Sequence, residues 1–155
     1  MNLFLIGINV YQLLRLLRNQ KHYDMIPVSL HDAYVAHLLE KNRNDIRKWF
    51  PEFSFQQAET FGTDCVVRLV CCDSNPATLF IARQTQSDEL DVVLNYATPV
   101  YRDTTSGHYT YSQLKKQGFR TLTFSANAPE HVAYMEKVGY RKNEKGIYVL
   151  DLGPI

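Results

Sequence analysis

From Cys65 onward the chain changes rhythm, and that change constrains its fold more than any other feature. Cys65 to Cys72, Ala77 to Arg83 and Glu89 to Ala97 are runs rich in apolar and β-branched residues. Two clusters of turn-forming residues separate them, Asp73-Ser74-Asn75-Pro76 and Gln84 to Asp88. Connections this short join neighbouring strands antiparallel, so the spacing predicts a three-stranded meander. Upstream, Leu30, Ala33, Tyr34, Val35, Leu38 and Leu39 mark the apolar side of a helix from Leu30 to Lys41. Ser29 with Asp32 three residues on has the form of a capping box at its start. Asn42 to Asn44 breaks the pattern before a second short helix, Asp45 to Phe50, which Pro51 closes. Downstream, Tyr109 to Gln117 reads as a helix ended by Gly118 and Arg120 to Ser125 as a strand. Pro129 to Val138 reads as a helix ended by Gly139, and Ile147 to Leu152 as a final strand. Helices, then an antiparallel meander, then β-α-β-α-β predict an α/β (α+β) protein, a mixed sheet with helices on both faces.

At 155 residues the chain has the length of one ordinary domain. Residues 23–155 are assigned to it and 1–22 to a separate apolar helix. Seventeen Lys and Arg against sixteen Asp and Glu leave a formal charge of +1, without the basic excess that binding to a phosphate backbone needs, so nucleic acid is not an expected partner. Cys65, Cys71 and Cys72 are an odd set without paired metal-type spacing, which fits a reduced, cytoplasmic setting and small buried side chains on a strand. His22, His31, His37, His108 and His131 show no H-E-x-x-H or similar spacing, so no metal is expected.

Leu3 to Leu17 is mostly Leu, Ile, Phe and Val, interrupted by Asn9, Gln12 and Arg15. As a helix it covers about 22 Å of a roughly 30 Å hydrocarbon core and does not span alone. Three readings stay open: a truncated or peripheral membrane anchor, an amphipathic helix docked on a partner, and a helix packed on the domain's own core. Arg15, Arg18 and Lys21 after the apolar start would place the rest of the chain on the cytoplasmic face of an inner membrane. Residues 7–17 resemble the last membrane helix of small multi-helix bacterial inner-membrane proteins. Arg43, Arg47, Lys48, Trp49 and Phe50 form a basic and aromatic cluster that either touches a membrane surface or sends its two aromatic rings into the core.

Residues 97 to 107, Ala-Thr-Pro-Val-Tyr-Arg-Asp-Thr-Thr-Ser-Gly, carry a strand through a proline into an Arg-initiated loop of small residues. Backbone N–H groups of such a loop, backed by the positive end of a following helix, can hold a pyrophosphate without a dedicated side chain.

The element order, this loop and Tyr-Met-Glu-Lys-Val-Gly-Tyr near the end resemble the GNAT superfamily of acyl-CoA N-acyltransferases over about Phe55 to Leu152. Ala97, Pro99, Tyr101 and Arg102 fill the family pattern V-x-P-x-[YF]-R, with Ala for the first Val. Arg102, Thr105 and Gly107 fall on the three marked positions of R-x-x-G-x-G. The resemblance implies that acetyl-CoA is the cosubstrate, bound by Ala97 at the end of the strand and with its pyrophosphate held by Arg102, Asp103, Thr104, Thr105, Ser106, Gly107 and His108. It also implies an amine acceptor, either a small molecule or a peptide.

Two positions depart from the pattern. Thr105 stands where the family has a glycine, and a β-branched residue resists positive φ and crowds a ligand. Met135 stands where the family often has a Tyr that protonates the departing thiolate, and Tyr134 lies about 100° away around the helix. The helix from His108 also reads about a turn shorter than is usual in the family. A general base must take a proton from the ammonium substrate, and Glu89, Asp91 and His131 are the candidates. Tyr134 completes the catalytic set. The alternative is a GNAT-like domain that no longer catalyses and serves as a ligand-sensing or interaction module on a membrane protein; an unstrained Thr105 with its amide pointing into an open cleft favours ligand binding, and a cleft plugged by Tyr109 or Tyr111 favours the module.

Overall fold

The computed structural model describes residue 10 and residues 22–102, 106–125 and 128–153. The apolar segment assigned to residues 1–22 therefore lies almost wholly outside the described residues, as do Asp103, Thr104 and Thr105. Among the described residues no helix is long and apolar enough to cross a membrane.

Seven strands form one sheet: β1 (Tyr23–Pro27), β2 (Cys65–Cys72), β3 (Asn75–Gln86), β4 (Glu89–Ala97), β5 (Thr121–Phe124), β6 (Arg141–Lys142) and β7 (Tyr148–Asp151), in the order β1-β2-β3-β4-β5-β7-β6. All neighbours are antiparallel except β4 and β5. The predicted meander is β2, β3 and β4. Asp73 and Ser74 take positive φ of 50° and 70°, the geometry of a two-residue hairpin turn, and β3 accordingly starts at Asn75 rather than Ala77. Ala77 to Ala82 is buried at every position, as expected for a central strand covered on both faces.

Five helices complete the described part: α1 (Ala33–Lys41), α2 (Arg43–Trp49), α3 (Phe55–Glu59), α4 (Ser106–Lys116) and α5 (Pro129–Val138). The expected capping box at Ser29 does not form. Asp32 is the N-cap of α1, its carboxylate accepting from Tyr34 N at 2.8 Å, while Ser29 Oγ accepts from His31 N in the preceding turn. The helix thus starts three residues later than the pattern suggested. α4 differs the other way: Ser106 and Gly107, expected in a loop before a shortened helix, open its first turn. Thr110 Oγ1 donates to Ser106 O at 2.8 Å there. Gly118 and Gly139 end α4 and α5 with φ of 97° and 123°, and backbone bonds from Phe119 N to Leu114 O and from Tyr140 N to Met135 O close both ends.

β1, β6 and α3 have no counterpart in the predicted order. β1 is an edge strand, mostly exposed, so it lacks apolar alternation, and Pro27 is tolerated because it lies at the strand's end on the sheet edge. The core lies between sheet and helices, with Leu79, Phe80, Ile81, Leu90, Leu94 and Leu122 from the strands against Val35, Ala58, Leu114 and Met135 from the helices. Asn95 and Tyr96 face opposite sides of β4, as adjacent strand residues must. Asn95 reaches Tyr111 of α4 and Tyr96 reaches Asp45 of α2, so these two helices cover opposite faces.

Candidate functional site

The one parallel junction of the sheet is short. Among the described residues, β5 pairs only with Glu89, Leu90 and Asp91 of β4, opposite Thr121, Leu122 and Thr123. Beyond Asp91 the two strands part. Two residues further on, β4 is irregular toward β3: Ala82 pairs with Val92 and Ile81 with Leu94, leaving Val93 as the extra residue of a bulge. A bulge bends its strand and increases the twist, which turns the second half of β4 away from β5. α4 follows β4 in the chain, so the 3-10 helix Pro99–Tyr101 and the first turn of α4 lie at the end of this open strand.

A cavity of about 180 Å³ lies at the point of parting. Asp91, Val92 and Val93 of β4, Phe124 and Ser125 at the end of β5, and His131 of α5 form one side. Trp49, Phe50, Pro51, Glu52, Phe53, Gln57 and Phe61 complete its lining. Trp49 and Phe50 thus turn inward, and Phe50 is buried.

Of the four catalytic candidates the structure brings two together. Asp91 lines the cavity, with its Oδ1 accepting from Thr123 Oγ1 at 2.8 Å. His131 lines it too, 7% exposed, its ring edge-on to Phe50 and Phe124 at centroid distances of 4.5 and 5.0 Å. Glu89 does not join them: it sits at the opposite end of β4 from Ala97, about 26 Å away at strand rise, and accepts from Thr85 Oγ1. Tyr134 is 46% exposed on the outer side of α5, while Met135 and His131, one turn apart, are buried. Its hydroxyl nevertheless lies 3.4 Å from where a Cβ on Gly107 would be, and so stands against the first turn of α4.

Arg102 is engaged with protein groups. One guanidinium nitrogen donates to Asp45 Oδ2 at 2.6 Å and to Ala97 O at 2.9 Å, and the group lies over the rings of Trp49 and Tyr96. Tyr96 donates to the same Asp45 oxygen. Burial pushes the Asp45 carboxyl up, but the hydrogen bonds from Arg102 and Tyr96 and the guanidinium charge outweigh it and hold the acid below its usual range. Burial likewise works against the charge on Arg102, and Asp45 overrides it. This cluster ties α2 to the end of β4. Asp45→Ala is expected to cost about 2 kcal/mol in urea unfolding, because it leaves a half-buried guanidinium and a buried phenol without their shared acceptor.

Sequence reasoning did not find three members of the region. Glu52 carries the second carboxylate of the cavity and follows Pro51 in a segment with no motif. Asn95 Nδ2 donates to Tyr111 Oη at 3.3 Å over the unpaired half of β4. Tyr140, next to Tyr111, is 3% exposed. Burial raises the pKa of both tyrosines, so their hydroxyls keep their protons. Tyr109, by contrast, stacks on Tyr23 of β1 at 5.3 Å and is not in the split.

Burial pushes His131 down to about 4 from an ordinary value near 6.5. The folded state therefore holds it neutral, whereas the unfolded chain takes up its proton below 6.5. Stability falls as the pH drops from 6.5 towards 4, by at most about 3 kcal/mol for this residue. The depressed Asp45 acts in a lower window, its contribution being lost only as the pH falls below the normal carboxylate range. His131→Phe is expected to remove the loss between pH 6.5 and 4, read from urea midpoints at several pH values; an unchanged slope would assign it to other groups.

No family model matches this sequence, and neither does any curated protein sequence. Solved structures do match. The ribosomal-protein-S18-alanine N-acetyltransferase of Escherichia coli superposes with a TM-score of 0.58 at 15% identity, over 86% of this chain and 96% of that one. A protein from Desulfovibrio desulfuricans assigned to the GNAT family of acetyltransferases gives 0.61 at 12%, over 85% and 100%. The PaiA N-acetyltransferase of Thermoplasma acidophilum, solved in complex with coenzyme A, gives 0.55 at 12%, over 83% and 96%. The chain has the GNAT acetyltransferase fold.

Proposed function

We propose that this protein is an acyl-CoA-dependent N-acyltransferase, moving an acetyl or related acyl group from a CoA thioester to an amine. The observation that supports it most is the parting of β4 from β5 after three residue pairs, with the bulge at Val93 at its start and the first turn of α4 at its far end. A pantetheine arm is a chain of amides, and an open strand edge binds such a chain by the hydrogen bonding that would add another strand. The N–H groups of Gly107 and His108 belong to the first turn of α4, where backbone donors lack intrahelical partners and suit a pyrophosphate. Arg102 then serves by holding the end of β4 in place, since its guanidinium is already engaged by Asp45 and Ala97.

The bound thioester supplies an electrophilic carbonyl. The acceptor arrives as an ammonium and must lose a proton before it can attack. Asp91, in the cavity beside the bulge, is the group we assign to receive that proton, directly or through water. His131, held neutral by burial and edge-on to Phe50 and Phe124, instead walls the cavity. As the C–N bond forms the C–S bond breaks, the nitrogen's second proton ends on the sulfur, and an amide and the CoA thiol leave. Tyr111, protonated and over the unpaired half of β4, is the group we assign to relay it, giving its own proton to the sulfur as the nitrogen's proton replaces it.

The same tyrosine favours a second reading. Through Asn95, Tyr111 bridges α4 to the open half of β4, as a side chain closing a disused cleft would. In that case the domain is a non-catalytic ligand-sensing or interaction module. Calorimetric titration of acetyl-CoA and of free CoA separates the two. Micromolar affinity is expected for the transferase, and no heat up to millimolar ligand would leave the module as the account.

A further inference from the structure

The cavity at the parting of β4 and β5 has a chemistry of its own. Its walls are the rings of Phe50, Phe53, Phe61 and Phe124, and its two charged side chains, Asp91 and Glu52, are both carboxylates. Among the described residues no Lys or Arg lines it, although Arg83 lies over the Phe61 ring and Lys48 and Arg102 over that of Trp49. With His131 neutral, the lining carries net negative charge at neutral pH. Such a wall suits a cation that also brings apolar surface, because ring faces and carboxylates both attract an ammonium while the rings take up the carbon body.

Size narrows the class. An apolar cavity of about 150 Å³ holds a benzene ring. The 180 Å³ here is enough for one ring and a short aminoalkyl group. We infer that the acceptor is a small primary amine on an aromatic or comparably compact apolar body, its ammonium held by Asp91 and Glu52 and its ring among the phenylalanines. The inference rests on the transferase reading for the fate of the amine, but the binding it describes does not require CoA.

The test is calorimetric titration of 2-phenylethylamine into the full chain without CoA, beside 2-phenylethanol, which lacks the charge, and putrescine, which lacks the ring. Phenylethylamine is expected to bind with submillimolar Kd, and each comparison compound at least tenfold more weakly. Asp91→Asn, which retains an acceptor for Thr123, and the exposed Glu52→Gln are each expected to weaken the amine about tenfold without changing its heat-unfolding midpoint. Absence of phenylethylamine binding, equal binding of putrescine, or full affinity in the double variant would overturn the assignment. A parallel acetyl-CoA titration keeps the two proposals apart. CoA bound and the amine not bound removes this inference alone, whereas the amine bound and CoA not bound removes the transferase reading and leaves an amine-binding site.

Discussion

Gly107→Val is expected to weaken acetyl-CoA binding by 100-fold or more while leaving the protein folded. Gly107 lies in the first turn of α4, where the proposed pyrophosphate donors are. A Cβ there would meet the Tyr134 hydroxyl at 3.4 Å, the near edge of ordinary contact, and the two methyl groups of valine would add bulk beside the proposed donors. The backbone is not the obstacle, since Gly107 is helical and free of the left-handed φ that only glycine adopts easily. Gly107→Ala is therefore the control: it adds one methyl and gains up to about 1 kcal/mol of helix preference. It should keep measurable affinity. A valine variant that binds acetyl-CoA as tightly as the parent would remove the first turn of α4 from the site.

The second large effect is structural. Leu90→Ala and Leu122→Ala should each destabilise the protein by about 3–4 kcal/mol, the usual cost of truncating a fully enclosed leucine. Both side chains are 0% exposed, and the two residues are register partners in the short parallel pairing that joins β4 to β5. That pairing closes the inner end of the split, so the loss should reach the site as well as the fold. At this chain length it corresponds to a fall in Tm of roughly 10 °C. The two losses should not add, because neighbouring residues share one cavity when both are cut. Val100→Ala, at an 82% exposed position, should change the midpoint by less than about 0.5 kcal/mol. Comparable losses at Val100 and Leu90 would contradict the burial pattern on which the core is drawn.

Much of this fold is legible in the sequence because its signals are local. Turn residues at Asp73 and Ser74, glycines at 118 and 139, and alternating apolar residues along β4 each act through their own backbone or nearest neighbours. The elements that escaped are those whose stability is not local. β1 is a largely exposed edge held by β2, and β6 is two exposed residues held by β7. The first turn of α4 was hidden by Ser and Gly, poor helix formers that tertiary packing keeps helical, with Ser106 buried.

The site divides along the same line. From the sequence alone came the meander, the Pro-x-Tyr-Arg run leading into α4, and the set of polar residues from which a site could be chosen. Only the tertiary structure put Asp91 and His131 into one cavity with Glu52, left Glu89 at the far end of its strand, and set Arg102 against Asp45, 57 residues away in the chain. The physical reason is register. Alternation along β4 runs unbroken through the bulge at Val93, so the faces are local, but where the strand bends and how far it stays paired with β5 are set by its neighbours. That irregularity arises from pairing with β3, so β4's own residues do not announce it.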